Sequence, residues 1–188
     1  MRDIVLRVAG LILIILLPVG GFLLWEHYKN KKLQEFAYRE YEINKLIRAG
    51  NYSKAKELID SSSKDNPFKP LLLSYELYIG THSGEKVEEG KVIEEIIKTL
   101  KDKELLALYR ERRAYYLFKE GKLQEAMKEV ENIKEGDFNY PSALLLKAQI
   151  LRREGKVKEA EEVLKKAKER GSESYFANMA QALSLVGD

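Results

Sequence analysis

Apolar, polar and small residues recur along this chain with a period close to 34 residues. The stretch EGKLQEAMKEVENI at 120–133 runs in step with EGKVKEAEEVLKKA at 154–167. A related phrase occurs twice upstream, at 49–59 and at 83–96. Each of the four stretches has a glycine at the equivalent position; these are Gly50, Gly84, Gly121 and Gly155. The pattern therefore predicts four similar units, of which the second is the most degenerate.

Each unit is predicted to form a pair of helices. Apolar residues before each glycine recur every three or four positions, as they do along one face of a helix. The glycine can end this first helix in the left-handed conformation. A small residue then follows in the second helix, where it lets two helices approach closely; these residues are Ala55, Gly90, Ala126 and Ala160.

A 34-residue period is typical of the tetratricopeptide repeat, and such units stack into a solenoid because none can bury its apolar faces alone. The predicted units span about 35–67, 68–102, 103–138 and 141–170. An apolar stripe at 172–186 predicts a capping helix, with Ser172 as its N-cap. A non-repetitive helical bundle is the alternative.

The N-terminal segment predicts a membrane span. Residues 8–25 lack charge and would measure about 27 Å as a helix, close to the thickness of a hydrocarbon core. A tail at 1–7 precedes this segment, and a basic juxtamembrane linker at 26–34 joins it to the repeat domain at 35–188. A cleaved signal peptide is the alternative. The predicted fold class is thus all-α: a transmembrane helix, then a solenoid of about four helix pairs and a C-terminal capping helix.

Composition narrows the possible functions. The formal net charge is +3, and the surplus of basic residues lies in the first 32 residues. The repeat domain therefore has equal numbers of acidic and basic residues, and it offers no basic stripe for nucleic acid. The absence of cysteine excludes disulfides and thiolate metal sites. His82 is a lone loop histidine, and the carboxylates lie in Lys/Glu runs typical of solvated helix faces. We therefore expect no catalytic residue, metal, cofactor or small-molecule substrate.

The order of these features resembles the YfgM-like family of ancillary SecYEG translocon subunits. The resemblance is carried by YYLFKEGKLQEAMKEVENIKEGDF at 115–138 and LLLKAQILRREGKVKEAEEVLKKA at 144–167. It implies a single-pass protein of the bacterial inner membrane whose repeat domain lies in the periplasm. It also implies the Sec translocon and a periplasmic chaperone as partners in protein export. A scaffold for another envelope complex, in cytochrome maturation or cell-wall assembly, is the alternative.

Tetratricopeptide solenoids bind extended peptides on the concave face that their first helices line. Counting back from each glycine predicts the residues of that face as Asn44, Arg48, Tyr78, Tyr115, Phe118, Gln149, Arg152 and Arg153. Two alternatives remain open. Tyr115 or Phe118 can instead pack against the preceding unit, and the arginine pair can simply be solvated.

Overall fold

The computed structural model describes residues 2–62, 65–170 and 175–185, with side chains from residue 18 to residue 184 of those ranges. Over these ranges the chain forms nine α-helices and no strand. The helices are α1 (Arg2–Arg48), α2 (Tyr52–Asp60), α3 (Lys69–His82), α4 (Glu89–Thr99), α5 (Lys103–Lys119), α6 (Leu123–Glu131), α7 (Tyr140–Arg153), α8 (Val157–Arg170) and α9 (Tyr175–Leu185). The all-α part of the predicted fold class is confirmed. The predicted N-cap Ser172 lies outside the described residues.

The predicted membrane span is not supported. In the described part of the chain, no helix is both long enough and apolar enough to cross a membrane. The transmembrane helix predicted at 8–25 is therefore wrong, and so is the single-pass inner-membrane localisation with a periplasmic repeat domain.

The chain divides into two compact units, Met1–Leu72 and Leu73–Asp188, and the division falls within α3. In the first unit, α2 packs against α1. Ile43 of α1 and Ala55 and Ile59 of α2 are buried. Helix α1 continues without a break through residues 26–34, so the segment predicted as a linker is helical.

The second unit is built from helices that pack on their neighbours in sequence. Leu73 and Leu77 of α3 form one core with Ile93 and Ile96 of α4. The next core joins α5, α6 and one face of α7, and the last joins the other face of α7 to α8 and α9. Because each core is shared with the next helix, this is a helical-repeat-like arrangement.

The four repeat glycines adopt the left-handed conformation, with φ between 73° and 78°. Each lies two residues after the end of a first helix. At Gly121, the N–H donates to the Phe118 carbonyl at 3.1 Å, and the next N–H, of Lys122, donates to the Leu117 carbonyl at 2.9 Å. This is the Schellman pattern, which satisfies the last carbonyls of α5. The second repeat differs, since α4 begins five residues after Gly84 instead of two.

Replacing Gly121 with alanine should lower the free energy of unfolding by about 1–2 kcal/mol. A Cβ added there meets no atom within 4 Å, so the cost comes from the left-handed backbone and not from a clash. Urea unfolding of the full chain measures the change. Gly136→Ala is the matched control, because Gly136 also has open space but no positive φ. Equal effects at the two glycines would contradict this explanation.

The small residues of the second helices lie at contacts between helices. Ala55, Ala126 and Ala160 are all fully buried. At Gly90, a Cβ would lie 2.6 Å from the Tyr116 ring of α5. Gly90 therefore permits the contact between α4 and the first helix of the following pair.

Charged residues form ion pairs along the helix surfaces. Lys98 contacts Glu94 at 2.7 Å, and this hydrogen bond, together with the lysine charge, lowers the pKa of Glu94. Lys156 contacts Glu154 at 2.8 Å, which raises the pKa of Lys156. A pair as exposed as Lys98–Glu94 contributes little to stability, and the packed cores supply most of it.

Candidate peptide-binding groove

A groove of about 610 Å³ opens between α5, α7 and the terminal helix α9. The residues that line it are Leu108, Glu111, Arg112, Tyr115, Phe138, Asn139, Ser142, Leu145, Leu146, Gln149, Tyr175, Phe176 and Met179. Most of the lining is apolar, and the polar groups are few. This combination is the usual make-up of a binding site.

Helix periodicity explains why these residues share one surface. The lining positions on α5 are 108, 111, 112 and 115, and those on α7 are 142, 145, 146 and 149. Both sets follow the spacing i, i+3, i+4, i+7, which marks one face of a helix. Helix α9 contributes positions 175, 176 and 179. Two parallel stripes on first helices and one stripe on the last helix therefore form the walls.

Three aromatic side chains of the groove are open to solvent. Tyr115 is 54% exposed, Phe138 is 60% exposed and Tyr175 is 69% exposed. Tyr175 also meets Phe176 edge-on, with ring centroids 5.8 Å apart. Aromatic side chains are enriched at protein interfaces, and contiguous exposed apolar surface marks interaction sites.

One part of the groove wall is polar. Glu111 accepts a hydrogen bond from Asn139 Nδ2 at 2.7 Å and another from the Ser142 hydroxyl. Asn139 Nδ2 also donates to the Ala107 carbonyl at 3.0 Å, so the residue before α7 is tied to α5. Arg112 pairs with Glu89 of α4 at 3.4 Å.

The structure separates the predicted concave-face residues of α5 and α7 into two groups. Tyr115 and Gln149 line the groove. Phe118 is buried in the core, and the Arg153 guanidinium covers its ring at 4.1 Å from the centroid while donating to its carbonyl at 3.0 Å. Arg152 is half-buried and donates to the Leu183 carbonyl of α9. Phe118 and the two arginines thus contribute to packing.

The remaining predicted residues lie elsewhere. Asn44 and Arg48 belong to α1 in the first unit, where Asn44 is half-buried and Arg48 is exposed. Tyr78 of α3 stacks on His82, with ring centroids 3.9 Å apart. None of these three residues lines the groove.

Counting from the glycines missed the other lining residues, which are Leu108, Glu111, Arg112, Phe138, Asn139, Ser142, Leu145, Leu146 and the three residues of α9. The two positions that do line the groove, Tyr115 and Gln149, each lie six residues before a glycine. Positions three residues before a glycine turn inward, as at Phe118. Stepping back from Tyr115 by three, four and seven residues would have found the others on α5, because that spacing stays on one helix face.

Comparison with known proteins gives one distant relative. No family model matches the sequence, and no solved structure matches it. A protein of Aquifex aeolicus (strain VF5), described as an uncharacterized protein, is 27% identical over 181 residues, which cover 96% of this chain and 94% of the relative. The likeness therefore extends over nearly the full length of both chains. Fold and groove together define the class: a helical-repeat-like all-α protein with an open, aromatic-lined groove.

Proposed function

We propose that this chain is a non-catalytic interaction protein of the tetratricopeptide type, which binds a segment of a partner protein in the groove between α5, α7 and α9. The observation that carries the proposal is the set of three exposed aromatic side chains, Tyr115, Phe138 and Tyr175, on one apolar groove. At protein interfaces a few residues supply most of the binding energy, and aromatic side chains that become buried on binding are prominent among them. A groove that leaves such anchors exposed suits a protein segment.

The chemistry of the lining supports binding and not turnover. The polar groups there are a carboxylate, a guanidinium, two amides and hydroxyl groups, and no histidine is among the lining residues. The Ser142 hydroxyl donates to the Glu111 carboxylate, and the groove lining holds no histidine that could activate it as a nucleophile. We propose that the protein needs no cofactor and does not bind nucleic acid.

The proposed partners are subunits of the protein-export translocon and the chaperones that serve it. This part of the proposal is supported by the resemblance of residues 105–186 to the YfgM-like family. All the residues that line the groove lie in that range. The tetratricopeptide assignment is supported by the spacing of the four glycines, which is 34, 37 and 34 residues, and by their shared left-handed conformation.

Site-specific photocrosslinking in the native host tests the proposal. A photoreactive phenylalanine analogue at Tyr115 or Phe138 should crosslink to translocon or chaperone subunits. The same analogue at Val157, an exposed position on α8 outside the groove, is the control. With the captured partner, Tyr115→Ala and Phe138→Ala should each weaken binding about tenfold or more.

The outcomes separate the two parts of the proposal. Crosslinks that are absent from the groove positions, or equally strong at Val157, would contradict the groove as the binding site. Groove-specific crosslinks to cytochrome-maturation or cell-wall proteins would retain the groove and overturn the export assignment.

A further inference from the structure

We propose that the groove selects a basic side chain: its occupant is a peptide segment in which a lysine or arginine, flanked by apolar residues, places its cationic group against Glu111. This inference rests on the proposed function and adds the chemistry of the partner. Three observations carry it: an uncompensated carboxylate, a buried acceptor without a donor, and the aromatic walls beside them.

The Glu111 carboxylate lies half-buried in the groove without a cationic partner. Its two oxygens accept from neutral donors, Asn139 Nδ2 and the Ser142 hydroxyl. Among the described residues, no lysine or arginine forms an ion pair with Glu111, and Arg112 beside it is paired with Glu89. A half-buried charge is poorly solvated, and its attraction for an incoming cation is stronger than in bulk water.

Asn139 supplies a second acceptor at the same place. Its side chain lines the groove and is only 4% exposed. Nδ2 donates to two acceptors, the Ala107 carbonyl and Glu111, so its orientation is set by its neighbours. Oδ1 then has no hydrogen-bond partner. A buried acceptor without a donor is costly, so a ligand donor that reaches it gains affinity.

A lysine ammonium or an arginine guanidinium meets both requirements at once. Either group carries several N–H donors and no acceptor. Asn139 Oδ1 is bonded to the same carbon as Nδ2, which lies 2.7 Å from Glu111 Oε2, so the unpaired acceptor and the carboxylate belong to the same part of the groove wall. An acidic segment would instead place its charge against Glu111, where like charges repel.

The aromatic walls favour the same ligand. Tyr115 follows Glu111 by one helical turn, and Phe138 immediately precedes Asn139. Cations are attracted to aromatic ring faces, and Lys119 already lies 5.8 Å from the centroid of the Tyr115 ring. The apolar residues that flank the ligand's basic side chain would contact Leu108, Tyr175 and Met179.

Fluorescence anisotropy with labelled synthetic peptides tests the inference on the full chain. The probes are nine-residue apolar peptides that differ only at the central residue, which is lysine, glutamine or glutamate. The wild-type chain should bind the lysine peptide at least tenfold more tightly than the glutamine peptide, and the glutamate peptide most weakly. Glu111→Gln should abolish the preference for the lysine peptide over the glutamine peptide. Glu125→Gln, an exposed carboxylate outside the groove, is the control and should keep the wild-type preference.

A charge-reversed variant guards against a loss of binding through misfolding. Glu111→Lys should reverse the preference and favour the glutamate peptide, which a misfolded chain cannot do. Equal binding of the lysine and glutamine peptides by the wild type would overturn the inference, as would a lysine preference that survives Glu111→Gln. If the peptides bind without charge preference and Tyr115→Ala still weakens them, only this inference fails. If no peptide binds, or if Tyr115→Ala has no effect on binding, the proposed function fails with it.

Discussion

Replacing Ile150 with alanine should lower the free energy of unfolding by about 2–5 kcal/mol. Ile150 is fully buried on α7 and belongs to the core that includes Phe118, Ala126 and Val130. The substitution removes buried carbon atoms and leaves a cavity between α5, α6 and α7, because the neighbouring side chains relax only in part. Ile150 therefore joins the core of one helix pair to the first helix of the next pair.

Urea unfolding followed by circular dichroism measures the effect on the full chain. Val157→Ala is the matched control, since Val157 is a β-branched residue on the surface of α8. We expect it to change the free energy of unfolding by about 0.5 kcal/mol or less. Similar losses for the two variants would show that Ile150 does not lie in a tightly packed core.

Enlarging the small residues of the second helices should also destabilise the protein. Ala126→Leu and Ala160→Leu should each cost about 1–3 kcal/mol, because both sites are fully buried and have no room for three more carbons. Thermal unfolding measures the loss. Glu125→Gln and Lys158→Gln on the exposed faces of the same helices are the controls and should change stability by less than about 0.5 kcal/mol.

The Ala126→Leu substitution also tests whether a loss of stability in one repeat extends to its neighbours. The core that contains Ala126 includes residues of α5, α6 and α7, so the larger side chain should speed amide hydrogen exchange in all three helices. Faster exchange confined to α6 would contradict the shared core, and leucine variants that unfold like the wild type would contradict the assigned contacts.

The repeat pattern predicted the all-α class because glycine and alanine positions depend on local geometry. A left-handed turn favours glycine, which has no Cβ, and a close contact between helices requires a small residue. Both features can therefore be recognised from the residue types in the sequence. The second repeat was less predictable, since Gly90 accommodates Tyr116 of the following helix pair. That contact depends on how the units stack, which a single unit does not encode.

The groove could be predicted only in part for the same reason. Positions facing the groove and positions facing the core are a few residues apart on one helix, as Tyr115 and Phe118 show. The rotation of each first helix is set by packing against its neighbours, and α9 joins the wall only through tertiary contacts. The membrane span was predicted from the length and the uncharged, apolar composition of residues 8–25, and the structure does not support it.

Helix α9 covers a core and forms one wall of the groove. Phe176 and Met179 pack against the core of α7 and α8, and the same two residues line the groove. A bound segment that contacts them therefore stabilises the docked form of α9 by mass action. Binding of a segment in the groove should therefore protect α9 from proteolysis, and the degree of protection should follow the occupancy of the groove.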